Sequence, residues 1–199
     1  MKETFGPGDF PVLTDGEVSL RLISTAGDRD FERIGVWLSD PRVLAFYGGV
    51  EEEVDASQAR LEYHPDALFP EEVRPCIIEW RGTPVGYLQF YPLQDGSEYQ
   101  LKESPGEGSW AMDLYLGVPE IWGRGIGSRS IRLILEYLFE SLEAERVFID
   151  PHAENERAIK AYEKCGFEVV QFLKNHEIQD GTWRDAWLME VTKSHWLQQ

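Results

Sequence analysis

Three groups of residues in this chain have types and spacings suited to chemistry. The first is the run Trp122-Gly123-Arg124-Gly125-Ile126-Gly127-Ser128. Glycines at alternate positions let a backbone approach a ligand closely. Where such a run opens a helix, the first-turn N–H groups and the helix dipole favour an anion such as a pyrophosphate. Spacing excludes two common phosphate loops. A Walker loop needs Gly-Lys followed by Ser or Thr. A dinucleotide fingerprint needs a third glycine where Ser128 stands. A plain glycine-rich turn is the alternative. The second group is Asn155, Ala158 and Tyr162, spaced three and four residues apart and so on one helix face. A helical Tyr is ordinarily core, but a core stripe would not carry the Asn. The third is Asp113, the one charge in the apolar run Trp110 to Leu116. A buried carboxylate costs several kcal/mol unless it is paired or hydrogen-bonded. Asp113 is therefore either satisfied by backbone amides or turned toward a cationic partner.

The elements around these groups read as alternating strands and helices. Val18 to Ile23 alternates as a strand. Asp28 to Leu38 has an acidic start and helical spacing at Phe31, Ile34 and Leu38, and Asp40-Pro41 stops it. Ala56 to Tyr63 reads as a short helix. Cys76 to Trp80 and Val85 to Tyr91 are strands joined by the turn Arg81 to Pro84. Gln94 to Ser109 is a polar loop. Trp110 to Leu116 is apolar on both faces, as a central strand requires. Gly125 to Leu142 is the clearest helix, with Ile131, Ile134, Leu135, Leu138 and Leu142 as its stripe. Arg146 to Asp150 is a strand and Asn155 to Lys164 a helix closed by Gly166. Phe167 to Phe172 and Trp183 to Val191 are strands around a turn at Asp180-Gly181.

Composition limits the partners. With 199 residues, of which 42% are hydrophobic, the chain can bury one sizeable core. No apolar run reaches the roughly 20 residues of a membrane span, and Met1 to Phe10 has no signal-peptide core. Cys76 and Cys165 are far apart and lack metal spacing, so two reduced thiols in a cytoplasmic protein are expected, with no metal. The net charge of −17 argues against nucleic acid and anionic membranes. Such a field attracts polycations, or simply keeps the protein soluble.

Together, the glycine run and the Asn155-x-x-Ala158-x-x-x-Tyr162-x-x-x-Gly166-Phe167 helix resemble the acetyl-CoA site of the GNAT superfamily. Further motifs resemble the aminoglycoside 6′-N-acetyltransferases, especially the acetyltransferase half of the bifunctional acetyltransferase–phosphotransferases. These are Trp37 to Asp40, Val43-Leu44, Phe46-Tyr47-Gly48-Gly49, Gly86-Tyr87, Met112-Asp113, Ile149 to His152 and Ala158 to Tyr162. The likeness runs from about Glu17 to Val191, with no sign of the kinase half.

The resemblance implies an α/β (α+β) GNAT fold, with a mixed sheet of about six or seven strands flanked by helices on both faces. It implies one domain over 1–199, with 1–16 and 193–199 as flexible extensions. It implies acetyl-CoA as co-substrate, with Gly123, Arg124, Gly125, Ile126, Gly127 and Ser128 around the pyrophosphate and Leu116, Asn155, Ala158 and Tyr162 along the rest of the cofactor. Trp122 stands where the family usually has Gln or Arg, which leaves the backbone donors in place. Asp113 is implied as the base, Tyr162 as the acid for the leaving thiolate, and Tyr47, Asp113 and Asp150 as acceptor-binding residues. Amides at a bulge between Asp113 and Val118 would polarise the thioester carbonyl. Glu98, Glu103 and Glu107 are further candidates to flank a cation. Glu51 to Glu53 read as solvated, and His152 as a hydrogen-bonding loop residue. The implied acceptor is an aminoglycoside. Another amine (a polyamine, a hydroxylated lysine or a protein N-terminus) and a non-catalytic CoA- or antibiotic-binding protein are the alternatives.

Overall fold

A computed structural model describes residues 10–47, 55–68, 73–93 and 105–198. Eight strands among them form one sheet: β1 (Leu13–Thr14), β2 (Val18–Leu22), β3 (Arg74–Trp80), β4 (Thr83–Pro92), β5 (Ser109–Leu116), β6 (Arg146–Ile149), β7 (Glu168–Gln179) and β8 (Thr182–Thr192). The order is β1-β2-β3-β4-β5-β6-β8-β7. All neighbours are antiparallel except β5 and β6, which run parallel. A parallel pair needs a crossover, and α4 (Ile126–Glu140) supplies it. The other helices are α1 (Arg29–Trp37), α2 (Pro41–Leu44), α3 (Ala56–Tyr63), α5 (Glu156–Glu163) and α6 (Lys193–Trp196).

Strand alternation sends neighbouring residues to opposite faces. Cys76, Ile78, Leu88, Phe90 and Met112 meet the α4 stripe of Ile131, Ile134, Leu135 and Leu138 on one face. Ile77, Tyr87 and Tyr115 meet Phe31, Ile34 and Trp37 of α1 and Val43 and Leu44 of α2 on the other. Helices thus cover both faces, as expected. Both cysteines are buried and unbridged.

Several boundaries differ from the sequence expectation. The eighth strand is the two-residue β1, where Leu13 pairs with Leu20 and Thr14 with Ser19. Asp15 and Glu17 hold Arg129 of α4 at 2.6 and 3.0 Å, and Trp196 of α6 packs on Phe139. The described parts of the expected extensions are therefore packed. Asp40 does not only end α1. Its Oδ1 accepts from the Arg42 N–H and caps α2. The β3–β4 turn is two residues, Arg81 and Gly82, both at positive φ, so Thr83 and Pro84 join the strand. β7 runs on to Gln179, and Asp180-Gly181 makes the turn where it was expected.

Gly117, which follows β5, is closely packed. A Cβ there would overlap the ring of Trp37. Gly117→Ala should destabilise the fold by about 1–3 kcal/mol, the usual cost of overpacking. Urea unfolding monitored by tryptophan fluorescence measures this, and an unchanged midpoint would contradict the packing.

Candidate functional site

The site begins where the sheet opens. β5 and β6 pair only at Ser109–Arg146, Trp110–Val147 and Ala111–Phe148. Beyond Ala111 the two strands part, while β5 stays in unbroken register with β4 through Leu116. The expected bulge in β5 is therefore absent, and the parting of β6 makes the opening instead. The Gly117 N–H reaches Val85 O, toward β4. Antiparallel alternation then points the N–H and C=O groups of Leu114 and Leu116 to the open side. A cavity of about 830 Å³ occupies this gap.

The glycine run forms one wall. After a turn at Pro119–Ile121, Gly123 and Gly125 adopt φ of +76° and +79°. Gly125 is the N-cap of α4 and provides no side-chain cap. A Cβ on either glycine would meet nothing within 4 Å. Glycine is required here by the left-handed backbone, while the space above it is open. Gly123, Gly125, Ile126, Gly127 and Ser128 line the cavity, so an uncapped helix N-terminus faces it. Arg124 does not line it. Its guanidinium lies 5.6 Å from the Trp80 ring centroid. Trp122, at the position where a polar residue is usual, donates from its indole N–H to Leu116 O at 2.9 Å. Its ring carries the Arg157 guanidinium at 3.6 Å, and desolvation lowers the Arg157 pKa.

α5 forms the next wall. Asn155 is its N-cap rather than a residue of its face, because Oδ1 accepts from the Ala158 N–H at 3.2 Å. That bond accounts for a polar residue in line with Ala158 and Tyr162, and all three still line the cavity. Lys160 of α5 and Lys164, its C-cap, line it too. Tyr162 is buried at 7% exposure. Burial, then the nearby Asp113 and Asp150 carboxylates, raises its hydroxyl pKa well above the ordinary value. It is a phenol that keeps its proton.

Strand ends form the acceptor side. Asp113 lies on the same sheet face as Tyr115, and its Oδ2 accepts from Gln89 Nε2 at 2.8 Å. Tyr47 packs on Tyr115 with centroids 4.4 Å apart. The buried Tyr115 hydroxyl has no hydrogen-bond partner among the described residues. Asp150 follows β6 and pairs with His176 Nε2 at 2.8 Å. His152 pairs with Glu177, and that partner lowers the Glu177 pKa. Leu116, Tyr47, Asp113, Asp150 and Tyr162 therefore share one cavity with the glycine run. Glu107 is not among its lining residues, and Glu98, Glu103 and Glu51 to Glu53 lie outside the described residues.

Sequence reasoning missed Glu177, His176 and Gln89. The two on β7 depend on an irregularity in the β7–β8 ladder. Leu173 faces Ala186 and Glu177 faces Arg184, so β7 carries two extra residues there. Asn175, at φ +50°, is held by Asp185 Oδ1 at 2.8 Å. A left-handed Asn in a polar run is a weak local signal of such a bulge. Gln89 is set opposite Asp113 only by strand register.

Residues 26–174 match the acetyltransferase (GNAT) domain family. Aminoglycoside N(6′)-acetyltransferase type 1 of Klebsiella pneumoniae is 30% identical over 161 residues, 80% of this chain and 79% of the relative. Spermidine N(1)-acetyltransferase of Escherichia coli (strain K12) is 31% identical over 150 residues, 74% of this chain and 73% of the relative. Among solved structures, AAC(6′)-Ib in complex with ribostamycin and coenzyme A superposes with a TM-score of 0.76 at 28% identity, covering 92% of this chain and 97% of that one.

The environment of Tyr162 can be tested directly. In an ultraviolet titration of wild type against Tyr162→Phe, the missing tyrosinate should appear only above the ordinary value of 10.0. Ionisation at or below that value would contradict the buried setting.

Proposed function

The chain belongs to the GNAT acetyltransferases, and from that premise we propose that it transfers the acetyl group of acetyl-CoA to the 6′-amine of an aminoglycoside, with Asp113 and Tyr162 as its catalytic residues. The observation that carries the reading is the placement of Asp113 and Tyr162 on one cavity whose far wall is an uncapped helix N-terminus. Likeness to aminoglycoside N(6′)-acetyltransferases over most of the chain supports the acceptor class. The carboxylates Asp113, Asp150 and Glu177 suit a molecule with several ammonium groups. Dependence on acetyl-CoA implies a cytoplasmic protein. No helix among the described residues is long and apolar enough to cross a membrane.

Acetyl-CoA brings an activated thioester, so the residues have to position it and manage protons. The N–H groups from Gly125 to Ser128 hold the pyrophosphate, with Arg157 and Lys160 of α5 and its C-cap Lys164 supplying positive charge nearby. The open N–H groups of Leu114 and Leu116 are the donors for the pantetheine and the acyl oxygen. Asp113 attracts the acceptor ammonium and takes its proton, directly or through water, before the amine attacks. Tyr162, kept protonated by burial, returns a proton to the departing thiolate. Tyr47 and Asp150 hold the acceptor.

Two variants probe the two halves. Gly125→Val strains a left-handed backbone by roughly 1–2 kcal/mol and places a branched side chain where the anion lies. The acetyl-CoA KM should rise at least about tenfold, which is ~1.4 kcal/mol of binding, while the protein remains folded. An unchanged KM would remove the glycine loop from cofactor binding.

Wild type should release CoA thiol with kanamycin. Asp113→Asn should keep acetyl-CoA binding and lose ~10²-fold or more in kcat/KM, with part of the loss recovered at high pH, where the free amine is already neutral. A folded Asp113→Asn protein at full rate would refute the base. Turnover of spermidine without kanamycin would keep the family chemistry and replace the acceptor.

A further inference from the structure

We propose that Gln89 is a positioning residue for this reaction, holding the Asp113 carboxylate ionised and in one orientation through an amide that Tyr87 locks. The inference rests on the reading of Asp113 as the base.

The register of β4 on β5 sets Gln89 directly opposite Asp113 and Tyr87 directly opposite Tyr115. Residues two apart on a strand share a face, so Tyr87, Gln89, Asp113 and Tyr115 form one patch. The Tyr87 hydroxyl donates to Gln89 Oε1 at 2.8 Å. Gln89 Nε2 donates to Asp113 Oδ2 at 2.8 Å. Tyr87 is fully buried, stacked on Tyr115 at 5.7 Å and edge-on to Tyr63 at 5.1 Å, so its hydroxyl has little freedom.

Polarity gives the chain a direction. Burial raises the Tyr87 pKa far above the ordinary value, so the phenol stays protonated. Its O–H donates to the amide oxygen, and the NH₂ group is turned toward Asp113. An amide N–H is a donor only and favours a bare carboxylate oxygen over a protonated one. The arrangement therefore selects the charged form of Asp113 and fixes the plane of its carboxylate.

Among the described residues, the phenols electrostatically coupled to Asp113 include Tyr87 on β4, Tyr47 after α2 and Tyr162 on α5. All three phenols are raised, so none titrates in the acid range. The neighbouring strand ends bring Asp150 with its partner His176, and Glu177 with its partner His152. Among the described residues, the cations on the same cavity are Arg42 of α2, Arg157 and Lys160 of α5, and Lys164 at its C-cap. An acid-range change on altering Gln89 must therefore be assigned to Asp113 by control.

The test is a ¹³C-carboxyl NMR titration of the acceptor-free protein, with the Asp113 signal assigned by its loss in Asp113→Asn. Gln89→Leu removes the donor and should raise the Asp113 pKa by about one unit. Gln89→Glu keeps the shape but replaces the donor with a second carboxylate and should raise it further. Tyr87→Phe frees the amide to rotate and should give a smaller rise. In kinetics with kanamycin or spermidine, the acid limb should move up with the titration in Gln89→Leu, kcat should fall about tenfold or less, and the acetyl-CoA KM should stay fixed. In the Asp113→Asn background, Gln89→Leu should have no further effect on the pH profile. An unshifted Asp113 signal in both Gln89 variants, each folded by circular dichroism, overturns the proposal. If the signal shifts as expected but Asp113→Asn retains full activity, the reading of Asp113 as base falls while the electrostatic coupling stands.

Discussion

The structure depends on a short parallel pairing. Three residues of β5 meet three of β6, and then the strands diverge. A sheet that parts leaves backbone donors and acceptors without a ladder, which is costly unless water or a ligand meets them. Here the gap is a cavity, and the backbone groups of Leu114 and the N–H of Leu116 face it, while Leu116 O accepts from Trp122. The parallel direction also requires a crossover. The crossover helix α4 starts at the mouth of the gap, with its uncapped N-terminus turned inward. One geometric fact thus places an open strand edge and an anion-seeking helix end on the same cavity.

The pleat separates the rest. Along β5, Met112 faces the α4 core, while Asp113 and Tyr115 face the aromatic side built by Trp37, Tyr47 and Tyr87. A carboxylate on the α4 face would sit in the apolar cluster that holds Ile131, Leu135 and Leu138. On its actual face it meets Gln89 and the cavity. Trp122 joins the two halves by binding Leu116 O and carrying Arg157 on its ring. The residue that departs from the usual loop pattern therefore trades a polar side chain for a packed bridge between β5 and α5.

Local features were legible in the sequence. The glycine spacing placed the loop, Ile131, Ile134, Leu135 and Leu138 of the expected stripe are buried in α4 while Leu142 follows the helix and is only partly buried, and the lone charge in an apolar run marked Asp113. What required another segment was not legible. Asn155 reads as part of a helix face until its bond to the Ala158 N–H makes it a cap. Arg124 belongs to the motif but turns to Trp80, a residue of β3. An irregularity was expected in β5 and occurs instead in β7, where it places His176 and Glu177 beside Asp150 and His152. Gln89 lies 24 residues from Asp113 and meets it only through register, which a period-two pattern leaves free by any even shift.

The lining of the cavity changes sign along its length. Arg157, Lys160 and Lys164 come from α5 and its C-cap, and Asp113, Asp150 and Glu177 from the strands and their ends, within a chain of net charge −17. For the reaction proposed, one substrate is a polyanionic thioester and the other a polycation. Dissolved ions screen both encounters over ~8 Å at physiological ionic strength, but with opposite consequences. Screening weakens the long-range pull on the acceptor and relieves the repulsion met by the donor. Dilute buffer thus favours encounter with the polycation and salt favours encounter with the thioester, so the ionic strength of the medium shifts the balance between the two association rates.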